Sequence, residues 1–225
     1  MNIEPVAYYH GPLTSKFGIP RQSGLAPALL GHIVFTPQYA HEEAVRGLER
    51  FDFLWLIWEF SANNEVASKT SLTVRPPRLG GNERVGVFAS RSPFRPNRLG
   101  LSCVHINKVV ILEGGVPVVF VEGADLMDGT PIYDIKPYVA FSDAHADARS
   151  GFVDDHEWRM LKVVIPIDLA TMFTDEEQRQ LSEVLAQDPR PQYHDDPQRI
   201  YGMAFAGRDV RFRVCNGEAI VVAVN

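Results

Sequence analysis

The sequence predicts a mainly β protein, with a main domain of short strands over residues 1–140 and a small α+β domain over residues 141–225. Three observations carry that reading. Apolar runs of strand length recur between Gly, Pro and polar turn clusters through the first part of the chain. The charge texture changes near Phe141, since Phe141 to Ile200 holds thirteen Asp or Glu against six Lys or Arg. The strongest helical pattern comes late, at Phe173 to Gln187.

Taken in order, Ile3 to Tyr8 is a short β-like run closed by Gly11-Pro12, and Ser15 to Pro27, with two prolines and two glycines, is an ordered loop. Gly31 to Phe35 is a second strand. In HEEAVRGLERF, Ala44, Val45 and Leu48 have helical spacing and predict one short helix. FLWLIWEF, Phe53 to Phe60, reads as a buried strand, and SANNEVASKT as a polar loop. Val85 to Ala89 is strand-like. Ser102 to Leu112 and Val116 to Glu122 form a hairpin around Glu113-Gly114-Gly115. Asp128-Gly129 is a turn leading into a further strand. The late helix has Thr174 as N-cap and Asp175, Glu176 and Glu177 in its first turn, where acids meet the positive end of the helix dipole. Its apolar face is Phe173, Leu181, Val184 and Leu185, and Asp188-Pro189 ends it. Tyr201 to Phe205, Val210 to Val214 and Ala219 to Val224 are three closing strands.

No apolar run approaches the roughly 20 residues that span a bilayer, and the start of the chain has no basic-then-apolar signal. The expectation is therefore a cytoplasmic protein without a membrane segment. Cys103 and Cys215, far apart in sequence, read as buried thiols in a reducing compartment.

Charge is concentrated in one stretch. Arg75 to Ser102 holds six arginines (Arg75, Arg78, Arg84, Arg91, Arg95, Arg98) against one acid, Glu83, in a chain of net charge −6. This island carries +5, which leaves −11 on the remainder. Clustered like charges repel unless something neutralises them, so the island is a device for an anion. Its prolines and glycines make it a shaped loop system, and arginine offers planar, multi-donor contacts to phosphate or carboxylate. The alternative is a solvated loop whose arginines pair with the acidic C-terminal half.

Several chemistries are excluded. A nucleotide-binding glycine turn between strand and helix is missing. Gly81 and Gly86 have P-loop spacing, but Val87 stands at the lysine position. His41-Glu42-Glu43 does not continue to a zinc-protease motif, and no His or Cys cluster has zinc-ligand spacing, so no metal is expected. His105 is read as a core histidine. No nucleophile elbow is present.

Three loops mix Gly and Pro with polar side chains at strand ends: Phe17 to Leu25, Ser90 to Ser102 and Asp125 to Tyr138. On one rim of a closed sheet they would make a pocket. Taken alone, Asp128-Gly129-Thr130-Pro131 is only a hairpin turn.

Together FGIPRQSGL, AVRGLERFDFLWLIWEF, TVRPPRLGGNERVGVFASRSPFRPNRLGLS and ADLMDGTPIYDIKPY resemble the TsaA-like (TrmO) family, and EVLAQDPRPQY resembles the C-terminal segment of its bacterial members. That family methylates threonylcarbamoyladenosine next to the anticodon of tRNA, with S-adenosylmethionine as methyl donor. The resemblance implies a small closed β-barrel acting as a homodimer, with the cofactor held among the three loops. Carried over by position, the cofactor contacts are Arg21, Gln22, Ser23, Arg91, Leu101, Asp128, Gly129, Thr130 and Pro131. The loop after Phe60 reads Ser61-Ala62-Asn63-Asn64 where the family has a His-Gln-like pair near the cofactor, so Ser61 and Ala62 join the expected contacts, and Arg98 stands where proline is usual. Asp128 is placed against the cofactor's positive charge, either directly or through its amino groups, and Arg21 or Arg91 against its carboxylate. The acceptor nitrogen is carbamoylated and poorly basic, so a proton acceptor helps; Tyr133, Asp134 and Tyr138 lie near the right loop. Asp134 has a second reading as an ion pair with Lys136 or Arg95. Arg75, Arg78, Arg95, Arg98 and Lys136 are assigned to RNA phosphates, and Phe94 to stacking on a splayed base or to anchoring its loop. Trp55 and Trp58 are assigned to the core or a dimer interface. Two other readings remain at this level: a non-catalytic single-stranded RNA-binding module, and a small-molecule methyltransferase of the same fold.

Overall fold

In the computed structural model, described over residues 2–62, 72–76, 84–155, 158–191 and 196–225, the first part of the chain is a closed six-stranded barrel. In chain order its strands are β1 (Ala7–His10), β2 (Leu30–Phe35), β3 (Phe53–Glu59), the separate short pair β4 (Thr73–Val74) and β5 (Val85–Gly86), then β6 (Leu99–Leu112), β7 (Val116–Glu122) and β8 (Thr130–Pro137). The barrel order is β1-β2-β7-β6-β3-β8, and every neighbouring pair is antiparallel. Closure leaves no unpaired edge.

A barrel this small is filled by its own inward side chains, and the strands alternate accordingly. In β3, Leu54, Leu56 and Trp58 are buried while Phe53 is exposed and Trp55 and Ile57 are half-buried on the outer wall. The strand is therefore buried on one face only. Its run of apolar residues hides this, because both faces of β3 are apolar. Cys103 and Cys215 are free thiols, half-buried rather than enclosed.

The expected helix over 41–51 is shorter. α1 spans only Glu42–Val45, because Gly47 takes φ of 90° and restarts the chain as a 3-10 turn at Leu48–Arg50. Val85 to Ala89 is likewise divided into β5 and a 3-10 turn at Val87–Ala89. After β8 comes a one-turn helix, α2 (Ala140–Asp143).

The C-terminal part is a four-stranded sheet: β9 (Lys162–Val164), then α3 (Ile167–Ala170), α4 (Asp175–Ala186), β10 (Tyr201–Phe205), β11 (Arg208–Cys215) and β12 (Glu218–Val224). The order is β10-β11-β12-β9, with β9 parallel to β12. At the start of α4, Thr174 and Glu177 form a reciprocal capping box. Leu181, Val184 and Leu185 of α4 pack with Phe173 on Phe205, Phe212 and Val214.

One feature positions the rest. The β1–β2 connection, residues 11–29, is clamped between barrel and C-terminal sheet. Leu13, Ala26 and Leu29 sit in the C-terminal core. Phe17 stacks on Tyr201 and Phe212 at 6.3 and 6.2 Å. Gln187 Nε2 donates to the Leu25 carbonyl at 2.8 Å, and the Ala28 amide donates to Glu183 at 2.6 Å. On the barrel side the Gly24 amide donates to the Gly123 carbonyl at 2.8 Å.

Candidate functional site

Antiparallel strands return alternate connections to the same end of a barrel. The registers His10↔His32, Tyr9↔Thr130, Leu30↔Glu122 and Glu59↔Leu99 place the ends of β1, β3 and β7 and the starts of β2, β6 and β8 on one rim. The connections at 11–29 and 123–129 and the stretch leading into β6 all leave from it.

These three segments meet at Asp125. Ser102 Oγ donates to Asp125 Oδ1 at 2.5 Å and in turn accepts from Trp58 Nε1 at 2.9 Å. The backbone amides of Ser23 and of Asp125 itself also serve the carboxylate, and Arg91 faces it as the nearby cation. Arg91 Nη1 donates to Gln22 Oε1, which joins the second loop to the first. Burial, the largest effect, outweighs these hydrogen bonds and Arg91, and lifts the Asp125 pKa to about 6. Tyr9 lies below, fully buried, and its hydroxyl has no hydrogen-bond partner among the described residues. Burial first, then Asp125 and Asp128, push its pKa up, so it stays a neutral phenol.

A carboxyl whose folded pKa lies above its unfolded value favours the folded state at low pH. That contribution is fully present below about pH 4 and is lost as pH rises through about 6. A shift from 3.8 to about 6 corresponds to a cost on the order of 3 kcal/mol at neutral pH. Asp125→Asn is therefore expected to stabilise the apo protein by about 1 to 3 kcal/mol at pH 8, with a smaller gain at pH 5. Paired denaturation curves at the two pH values check this; equal or lower stability of the variant at pH 8 would contradict it.

The other assigned residues fall as follows. Arg21 is exposed and makes no hydrogen bond or ion pair among the described residues, while surrounding protein lowers its pKa by desolvation. Asp128 Oδ1 accepts from the Gly11 amide at 3.2 Å and meets His10 Nδ1 at 3.1 Å. Gly129 takes φ of 75° and donates its amide to the Tyr9 carbonyl, so a side chain there would be strained. Thr130 and Pro131 are buried at the start of β8. Ser61 and Ala62 follow β3 at the same rim, and Asn63 and Asn64 lie outside the described residues. Leu101 is 57% exposed on the outer wall, opposite Ile57.

Of the three residues named for proton transfer, Tyr133 lies nearest the rim. Its hydroxyl donates to Glu59 at 2.6 Å, and Glu59 pairs with Arg98 at 2.7 Å. Burial, then Glu59, raises the Tyr133 pKa to about 12. Asp134 pairs with Lys136 at 3.0 Å on the exposed wall, in keeping with its ion-pair reading. Tyr138 follows the far end of β8, among Phe53 and Trp55. At about 3.4 Å per residue that is roughly 25 Å along the strand from its start.

In the arginine island, Arg75 is exposed and Arg78 lies outside the described residues. Arg95 donates to the carbonyls of Ser90 and Ser92 at 3.0 and 3.4 Å, fastening its own loop. Phe94 is 48% exposed at that loop, and Phe88, which sequence reasoning passed over, is 78% exposed beside it.

Sequence reasoning also missed Asp125, Tyr9 and a cross-strand row on the outer wall. His10, His32, Phe120 and Lys108 are neighbours in register across β1, β2, β7 and β6. Their rings lie 5.4 and 5.7 Å apart, with Lys108 Nζ 4.8 Å from Phe120. Burial, then His10, lowers the His32 pKa. No local pattern marks these positions, because they become neighbours only when the sheet closes. Among the described residues no group of three or more His, Cys, Asp or Glu is placed to hold a metal, and no helix is long and apolar enough to cross a membrane.

Comparison with known proteins gives a consistent result. The tRNA-methyltransferase O N-terminal domain profile matches residues 8–144, and the TrmO C-terminal domain profile matches residues 168–225. The chain is 36% identical to a tRNA (adenine(37)-N6)-methyltransferase of Escherichia coli, over 98% of this chain and 96% of that one. It is 37% identical to a putative S-adenosylmethionine-dependent methyltransferase of Pseudomonas aeruginosa, over 94% and 91%. The crystal structure of TrmO from Pseudomonas aeruginosa superposes with a TM-score of 0.78 at 31% identity, covering 100% of this chain and 98% of that chain.

Proposed function

The chain belongs to the tRNA-methyltransferase O family, and we propose that it transfers a methyl group from S-adenosylmethionine to the N6 nitrogen of adenine 37 in tRNA. The acceptor in this reading is a threonylcarbamoyl-bearing adenosine. The observation that carries the reading is the meeting of three rim segments at Asp125, Arg91 and Gln22. An RNA-binding module needs no such convergence; a small-molecule enzyme of the same fold would share it but needs no arginine island.

The residues present fit the cofactor. Arg21, partly desolvated and without an anionic partner among the described residues, suits a carboxylate. Asp128 suits a cationic group. Ser23, Arg91, Gly129, Thr130 and Pro131 complete the walls, with Ser61, Ala62 and Leu101 at the margin. S-adenosylmethionine, when bound, supplies an electrophilic methyl group on a positively charged sulfur. The protein's part is alignment and exclusion of water. Tyr133 keeps its proton near neutral pH, so we assign it to orienting Glu59 and Arg98 rather than to proton abstraction.

Arg75, Arg78 and Phe94 meet the RNA in this reading, with Arg95, Arg98 and Lys136 contributing charge from positions that also hold protein groups. We further propose a homodimer through the outer wall of β3 and β6, where Phe53 at 41% and Leu101 at 57% exposure flank Trp55 and Ile57. Its place is the cytoplasm, with its tRNA.

The test is mass spectrometry of tRNA nucleosides after incubation with the protein and S-adenosylmethionine. A gain of one methyl on the modified adenosine 37 is expected, and an unchanged nucleoside profile overturns the reading. In the same system Arg75→Ala is expected to lower the slope of log tRNA affinity against log salt by about 0.7 to 0.9.

A further inference from the structure

Asp125 is absent from the set of cofactor contacts named above, yet groups from all three rim segments act on its side chain. From the first segment comes the Ser23 amide, from the second Arg91 and Ser102, and Asp125 itself belongs to the third. Behind Ser102 stands Trp58, so the chain of hydrogen bonds is anchored in the barrel core. Among the described residues the groups facing the carboxylate are Arg91 as the cation, Tyr9 as a neutral phenol, the Ser102 hydroxyl, and the amides of Ser23 and of Asp125 itself. Asp128, which also acts on Tyr9, is occupied by His10 and the Gly11 amide.

We infer that Asp125 is the positioning residue of the cofactor site: its ionised carboxylate holds the Ser23 segment, Ser102 and Arg91 in the arrangement that receives S-adenosylmethionine. This rests on the functional reading above. The physical reason is directional. An ionised carboxylate accepts from Ser102 and Ser23 at once and attracts Arg91; a protonated one keeps a weaker acceptor and loses the attraction. Among the described residues Arg91 then has neutral Gln22 alone to hold it. Cofactor affinity is consequently coupled to the charge of Asp125, and because burial lifts its pKa to about 6, the coupling falls in the accessible pH range. Carrying a carboxylate where burial penalises its charge makes sense if the bound state recovers that cost.

The experiment is calorimetric titration of the full chain with S-adenosylmethionine between pH 5 and 8, on wild type, Asp125→Asn and Ser102→Ala, each first shown to be folded by its melting curve. Wild-type affinity is expected to rise with pH and level off above about 6, with binding near pH 6 releasing protons, read from the dependence of the heat on buffer ionisation. Asp125→Asn is expected to bind at least tenfold more weakly at pH 8, without the transition near pH 6; it also supplies the baseline for any titration of the ligand. Ser102→Ala removes a hydrogen bond that lowers the Asp125 pKa, so its transition should move to higher pH. Wild-type affinity with the same pH profile as Asp125→Asn overturns the inference. So does an Asp125→Asn protein that binds as tightly as wild type at pH 8, since the carboxylate then holds nothing that binding needs. Failure of wild type to bind at any pH overturns the functional reading itself, and this inference with it.

Discussion

Phe212→Ala is expected to cost about 3 to 5 kcal/mol of stability and to weaken cofactor binding, although Phe212 lies in the C-terminal sheet and not on the barrel rim. Phe212 is fully buried, with Tyr201 stacked 5.6 Å away and Phe17 6.2 Å away. Deleting the ring leaves a cavity that the β-sheet around it can close only in part. It also removes the surface on which Phe17 rests, and Phe17 stands four residues before Arg21. Denaturant unfolding measures the first effect, and titration with S-adenosylmethionine the second. Val214→Ala, in the same core, is the comparison. It should lose stability without an equal loss of affinity. If both variants lose affinity in proportion to stability, the link through Phe17 is wrong.

The second large effect is at Gly100. A β-carbon there would stand 2.4 Å from the ring of Trp58, its partner in register across β3 and β6. Trp58 is 6% exposed and packs edge-on against Phe60 at 4.4 Å, so it has no room to withdraw. Overpacking of this kind costs about 1 to 3 kcal/mol, and a displaced Trp58 also loses its bond to Ser102, worth about 1 to 3 kcal/mol when a buried group is left unpaired. Gly100→Ala should therefore lose about 2 to 6 kcal/mol and bind the cofactor poorly, through the Trp58–Ser102–Asp125 chain. Gly86→Ala is the control, since its β-carbon would meet nothing within 4 Å, and a change within about 0.5 kcal/mol is expected. Similar losses in both would show that the damage is not at Trp58.

Local signals placed the elements that depend only on local chemistry. The Thr174–Glu177 capping box and the apolar face of Leu181, Val184 and Leu185 specify α4 within one stretch of chain, and the structure has it at Asp175–Ala186. The β6–β7 hairpin follows from Gly114 and Gly115, both at positive φ. β10 runs over Tyr201–Phe205, as its apolar run predicts. The arginine island and the turn at Asp128-Gly129 were visible for the same reason, since their residue types act on the backbone or the solvent nearby. The helix over 41–51 failed where one residue, Gly47, adopts a left-handed conformation that spacing rules do not weigh.

By itself, then, the sequence determined the strand-rich first part, the capped helix, the hairpin and turn, the cationic loop and, through its resemblance, the family. Tertiary structure decided the rest. β9 is three residues long and exists because β12 pairs with it in parallel. Residues 11–29 are held by partners far along the chain, such as Gln187, whose bond to Leu25 joins residues 162 positions apart. Asp125 is flanked by Ala124 and Leu126 and carries no local mark; its raised pKa exists only where Ser102, Ser23 and Arg91 have been brought to it and water has been taken away. Desolvation is a property of everything within several ångströms of a group, and in a closed barrel most of that surrounding comes from distant parts of the chain.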